Sequence, residues 1–134
     1  MAAILALACA TAAAAPIPPD LVGIWATEGS EFKGEALWKG QALYLDIDGV
    51  GASAGGDGSD VIGVRIVVTS YNSVTNLLSF DITEYGKVVG SGTLTYELGR
   101  KTLFSPKDRA HYHRRSNGIS AEIRKGLGLE PRTQ

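Results

Sequence analysis

The sequence predicts a mainly all-β domain: an antiparallel meander that curls into a small barrel or half-barrel and ends in a short C-terminal helix. Three observations predict it. Apolar residues alternate with polar ones at Leu43, Leu45 and Ile47, at Val64, Ile66 and Val68, and at Leu78, Phe80 and Ile82, the period of half-buried strands. Glycine accounts for 17 of 134 residues, and from Val61 onward turn signals recur every ~8–12 residues, the spacing of a barrel or sandwich. Near the end, Ile119, Ile123 and Leu127 stand at i, i+4 and i+8, on one face of a helix.

Taken in order, 1–15 reads MAAILALACATAAAA. It is too short to cross a bilayer as a helix, which needs ~20 apolar residues. It has the apolar run and small-residue end of a secretory signal, although no basic residue precedes the run. Ala12 and Ala14 place the expected cut after Ala14. The alternatives are a flexible Ala-rich tail with no targeting role and a lipoprotein signal cut before Cys9, which would leave a lipid anchor. Either signal places the mature protein in the periplasm or outside the cell. Pro16, Pro18 and Pro19 give a stiff extended lead over 16–20, and 21–134 forms one domain.

Within that domain 21–26 is the first strand and 28–34 a loop. The next strand covers 36–47 and sends Tyr44, Asp46 and Asp48 away from Leu43 and Leu45. Asp48-Gly49 is a turn, and the glycine-rich segment 51–60 is too polar to pack and reads as a loop. Strands follow at 62–69 and 78–83, a turn at Tyr85-Gly86, and a strand at 88–96 in which Gly90 and Gly92 mark a bend or bulge. After a turn at 98–101 another strand begins at Thr102. The count is six or seven. The segment 105–116 is polar and basic. Ser120 caps a helix through Gly126, with Glu122 early and Arg124 and Lys125 late, as the helix dipole favours.

The formal net charge of −1 supplies no field for nucleic acid or an acidic membrane. Cys9 is the single cysteine, so the mature chain has no disulfide and its core alone carries its stability. No catalytic or metal set survives a physical test. The segment 55–63 fits a calcium-binding nonapeptide, but one copy gives half a shell for an ion that takes ~6–8 oxygens. Asp46-Ile47-Asp48-Gly49 opens like an EF-hand loop without its closing glutamate or flanking helices. His111 and His113 share a strand face but lack a third zinc ligand. Gly90-Ser91-Gly92 lacks the spacing of a nucleophile elbow. Asp46, Asp48 and Asp81 are acids on outward faces, which are ordinarily wet. No cofactor is expected.

Gly23-Ile24-Trp25 follows the proline lead. A G-x-W on the first strand, with an antiparallel meander and a short C-terminal helix behind it, resembles the lipocalins and related small barrels. The L-x-G-x-W start and the Lys39–Leu45 strand also resemble bacterial lipocalin-like domains of unassigned function. The resemblance covers about 21–104. It implies that Trp25 closes one barrel end beneath a basic side chain from Arg109, Arg114 or Arg115, a cation–π contact worth about 0.5–2 kcal/mol. It implies an exported, non-enzymatic binding module for a small apolar ligand. The wall would come from Leu43, Leu45, Val64, Ile66, Leu78 and Phe80, with Trp25 at the base and Trp38 or Tyr44 near the mouth. The alternative is a protein-interaction or inhibitor module, acting through 51–60 and a basic surface of His111, His113, Arg114 and Arg115. Nucleic acid is not an expected partner, and the membrane is met only through the signal segment or a lipid on Cys9.

Overall fold

The computed structural model describes residues 14–129. The apolar run of the expected signal, with Ala12 and Cys9, lies outside the described residues, as do 130–134. Within them the strands are β1 (Gly23–Thr27), β2 (Glu31–Lys33), β3 (Ala36–Leu45), β4 (Val50–Asp57), β5 (Val61–Asn72), β6 (Leu77–Glu84), β7 (Lys87–Glu97), β8 (Thr102–Ser105) and β9 (Ala110–Ser116), followed by helix α1 (Ala121–Gly126). Eight of them form a closed antiparallel barrel, β1-β9-β8-β7-β6-β5-β4-β3, with β3 paired back to β1; β2 adds to the outer part of β3.

The strand count therefore exceeds the six or seven expected, and three segments account for the difference. The 51–60 stretch is not a loop: 50–57 is β4, paired along its length with both β3 and β5. Its glycines are matched to close neighbours. A Cβ at Gly51 would strike the Tyr44 carbonyl and one at Gly56 the Trp38 carbonyl, so only glycine lets these strands approach. The polar 105–116 stretch supplies β9, which pairs with β8 and β1 and completes the ring beyond the expected limit at 104. The 28–34 loop holds the short β2. The bulge expected near Gly90 is present: Ile82 pairs with Gly90 and Thr83 with Val88, leaving Val89 as the extra residue.

The sheet carries a core on each face. Inside the barrel, Trp25, Leu43, Leu45, Ile66, Val68, Leu78, Leu94, Leu103 and Tyr112 pack with Ile17 and Leu21. The proline lead is thus no spacer. Ile17 is buried, and its amide donates to the Ile47 carbonyl at 3.2 Å. Outside the barrel, Ile24, Ala42, Tyr44, Ala52 and Ala54 pack against Ile119, Ile123 and Leu127 of the C-terminal segment. The helix starts as the sequence predicts, with the Ser120 hydroxyl accepting from the Ile123 amide, a standard N-cap.

Asp46 is not on a wet face. It is 2% exposed and lies 2.9 Å from the guanidinium of Arg124, itself 5% exposed; the same guanidinium reaches Asp48 at 3.4 Å. The ion pair ties α1 to the β3–β4 turn across 78 residues of sequence. Breaking such a pair from one side costs more than its formation returns. Arg124→Ala is expected to destabilise the domain by about 3 kcal/mol, read as a lower urea midpoint. Arg124→Lys should recover only part of this, because an ammonium cannot fork between two carboxylates.

Candidate functional site

The two ends of the barrel differ. At the first end Trp25 is 1% exposed. Its indole N–H donates to the Leu21 carbonyl at 3.0 Å, and Tyr96 meets its ring edge-on, with centroids 6.2 Å apart. Of the three candidate cations it is Arg114 that covers the ring, 4.9 Å from the centroid. Arg114 also donates to the Asp20 carbonyl and to Asn117 Oδ1. Gly23 belongs to the same closure: its φ is +142° and a Cβ there would strike the Ser116 carbonyl. The G-x-W spacing thus has a local cause. The glycine lets the end of β9 lie against β1, and the tryptophan two residues on faces the barrel interior.

At the second end the inward positions follow from register. Gln41 is opposite Gly55 and Gly55 opposite Ile62; Leu43, Ser53 and Val64 form the next row, and Leu45, Gly51, Ile66, Ile82 and Gly90 the next. Buried Leu43, Leu45 and Ile66 fix this face as the interior. Yet Ile62, on the same face, is 74% exposed. Gln41 is exposed as well, and Val64, Phe80 and Ile82 are half-exposed. The barrel is packed near Trp25 and open to solvent at the far end. Between the two zones Tyr112 donates its hydroxyl to Gln41 Oε1 at 3.2 Å.

The expected pocket residues fall into three places. Trp25, Leu45 and Ile66 belong to the packed end, and Phe80 lines the open end. Tyr44 lies on the outer face beneath α1, where its hydroxyl donates to the Glu35 carbonyl and accepts from the Leu37 amide. Trp38 stands on the outer part of β3 under the Lys33 ammonium, 3.9 Å from its ring centroid. Neither is part of the inner wall. Ile82, Gln41 and Tyr112 complete the open end. Ile82 shares the alternation of Phe80, whereas Gln41 and Tyr112 are recognisable only once β3 and β9 are in register.

The basic surface is divided by strand alternation. His111 and His113 point outward and line a cleft of about 560 Å³ with Glu28, Arg100 and Thr102. Arg115 follows in the same row and stacks on Phe32 at 4.1 Å, while Arg114 turns to Trp25. His111 Nδ1 is 2.8 Å from Glu97 Oε1, which also accepts from the Thr102 hydroxyl at 2.6 Å. The Thr102 hydroxyl, helped by His111, holds the Glu97 carboxyl below its usual range. Among the described residues no group of three or more His, Cys, Asp or Glu is arranged to hold a metal ion. With 51–57 built into the wall, the contact surface expected from 51–60 loses most of its length.

Burial, with the nearby Asp108 charge, pushes the Tyr112 phenol up to about 12. A pKa raised on folding means that the unfolded chain loses this proton first. The stabilisation is complete below the ordinary value of 10.0 and is lost as pH rises through about 12. Burial raises the Tyr44 and Tyr71 phenols as well, so alkaline titration by near-ultraviolet absorbance should show several late-ionising tyrosines, and Tyr112→Phe should remove one of them. That variant should also lose less stability between these pH values.

No protein-family model matches the chain, and no curated protein or solved structure matches it.

Proposed function

We propose that this protein is an exported, non-enzymatic, lipocalin-like binding module that takes a small apolar ligand into the open half of its barrel. One observation carries the reading: at the end away from Trp25, inner-face apolar side chains lack a protein cover, with Val64, Phe80 and Ile82 only half-buried and Ile62, on the part of the β4–β5 hairpin that extends beyond the β6 ladder, 74% exposed. Inner apolar surface of a closed barrel is normally packed or filled by a ligand. Half-exposed Val64, Phe80 and Ile82 supply apolar walls, and the Tyr112–Gln41 pair offers one polar contact at the floor. Uncovered apolar side chains with few polar groups among them suit a small apolar molecule. The h-region-like start supports export.

An apolar fluorophore should bind the purified protein with micromolar affinity and be displaced by lipid extract, and native mass spectrometry should show a co-purified adduct. Ile82→Lys should weaken fluorophore binding at least tenfold. Val74→Lys, a change at an exposed turn residue, should leave it unaltered. A protein that carries no adduct and binds no fluorophore sinks the proposal. For export, N-terminal sequencing of protein recovered from periplasm or medium should begin at Ala15; an intact Met1 on that material argues against the signal.

A further inference from the structure

β7 has a bare edge. On one side β6 pairs with it from Lys87 to Thr95. On the other, β8 pairs only with Thr95, Tyr96 and Glu97. Among the described residues, no backbone or side-chain hydrogen bond reaches the second edge of 88–93. Alternate residues there direct amide and carbonyl groups outward, a template for another strand. Native edges are usually guarded by charge, proline or a bulge. Lys87 and the bulge at Val89 guard the first residues, but Gly90-Ser91-Gly92-Thr93 has no such device.

The surface beside this edge favours one kind of occupant. Gly90 and Gly92 face inward without side chains. The Phe80 ring lies over Gly92, 2.7 Å from where a Cβ would stand, and Ile82 lies over Gly90 at 3.6 Å. Side chains of an added strand opposite these glycines would meet Phe80 and Ile82 directly. Lys87 flanks the edge opposite Glu84, and Lys107 and Arg109 follow in the turn after β8 on either side of Asp108, which leaves the surroundings with one net positive charge. The three cations are exposed and have no ion pair among the described residues. A second copy fits less well, because it would bring its own Lys87, Lys107 and Arg109 to the same edge.

We infer that the Gly90–Thr93 edge of β7 accepts an extended acidic peptide as an added strand, with apolar residues two apart packed on Ile82 and Phe80. The bare edge is there whether or not a small molecule binds, although Ile82 and Phe80, which the added strand would meet, are also walls of the proposed ligand site. Main-chain bonds would supply the affinity and alternate side chains the specificity.

The test uses the blocked peptide Glu-Thr-Phe-Thr-Val-Thr-Asp and two forms of it, N-methylated on one or the other alternate set of amides. The parent should bind at micromolar to millimolar concentration and slow amide exchange at alternate residues of 90–93 at least tenfold. One methylated form should bind at least tenfold more weakly, while the other binds like the parent. Replacing its acids by lysine should also weaken it. Equal binding by all three methylation states overturns the proposal, as does unchanged exchange at 90–93 in the bound protein. So does edge protection in the free protein that disappears on dilution, which would mean that a second copy holds the edge.

Discussion

The barrel depends on β1 closing the ring with only five residues. Gly23–Ala26 pair with β3 and Ile24–Thr27 with β9, so β1 carries every ladder that joins the two ends of the meander. On one side of it the strands are also short, with seven residues in β9 and four in β8 beyond it, whereas β3 has ten, β5 twelve and β7 eleven. The ring is sealed where β1 lies, around Trp25. At the other end the long strands continue past their short neighbours: β1 stops at Thr27, which leaves the inner face uncovered, and the four-residue β8 stops short along β7, which leaves the edge of 88–93 unpaired.

The same short strand has apolar residues on both sides. Trp25 fills the interior, while Ile24 joins Ala42, Tyr44 and Ala52 beneath α1. This part of the sheet is buried on two faces, which is why 42–45 reads as an unbroken Ala-Leu-Tyr-Leu run and not as strict alternation. Such a sheet needs its cover held in place. The helix has only six residues, too few to be stable alone. Its docking comes from the apolar stripe of Ile119, Ile123 and Leu127 and from the buried Arg124–Asp46 pair. That pair contributes position more than net energy: α1 settles with Arg124 over the β3–β4 turn, the register in which the buried carboxylate has its cation.

Much of this was legible in the sequence because it is local. Period-two alternation located β5, β6 and β7, Tyr85-Gly86 marked the hairpin between β6 and β7, and the spacing from Ser120 to Leu127 gave the helix. What was not legible depends on a partner distant in sequence. The glycines of β4 look like a loop until the Tyr44 and Trp38 carbonyls are placed against them. Asp46 looks like a solvent-facing acid until Arg124, 78 residues later, is brought over it. Tyr44 was correctly set opposite Leu43 and Leu45, yet sequence alone could not say that its side of the strand is covered by a helix. The choice among Arg109, Arg114 and Arg115 needed the register of β9 on β1, which sends 114 inward and 113 and 115 outward.

The open end also follows from side-chain volume. An eight-stranded barrel is just wide enough for inward side chains to fill it, so its hollowness is set residue by residue. Near Trp25 the inward rows carry Leu43, Leu45, Ile66, Leu78, Leu94 and Leu103, and the space is used. Toward the other end β4 presents Ser53 and Gly55 and β7 presents Gly90 and Gly92. Two walls there contribute almost no volume. Phe80 and Ile82 lean over the β7 glycines but do not reach the packing of the first end, since both remain half-exposed. Larger residues at Ser53 and Gly55 would extend the solid core upward at no cost to the β3–β4–β5 ladders, because no close backbone contact stands over Gly55 as it does over Gly51 and Gly56. The small residues that structure requires and those that keep the cup open are therefore different residues on the same strand.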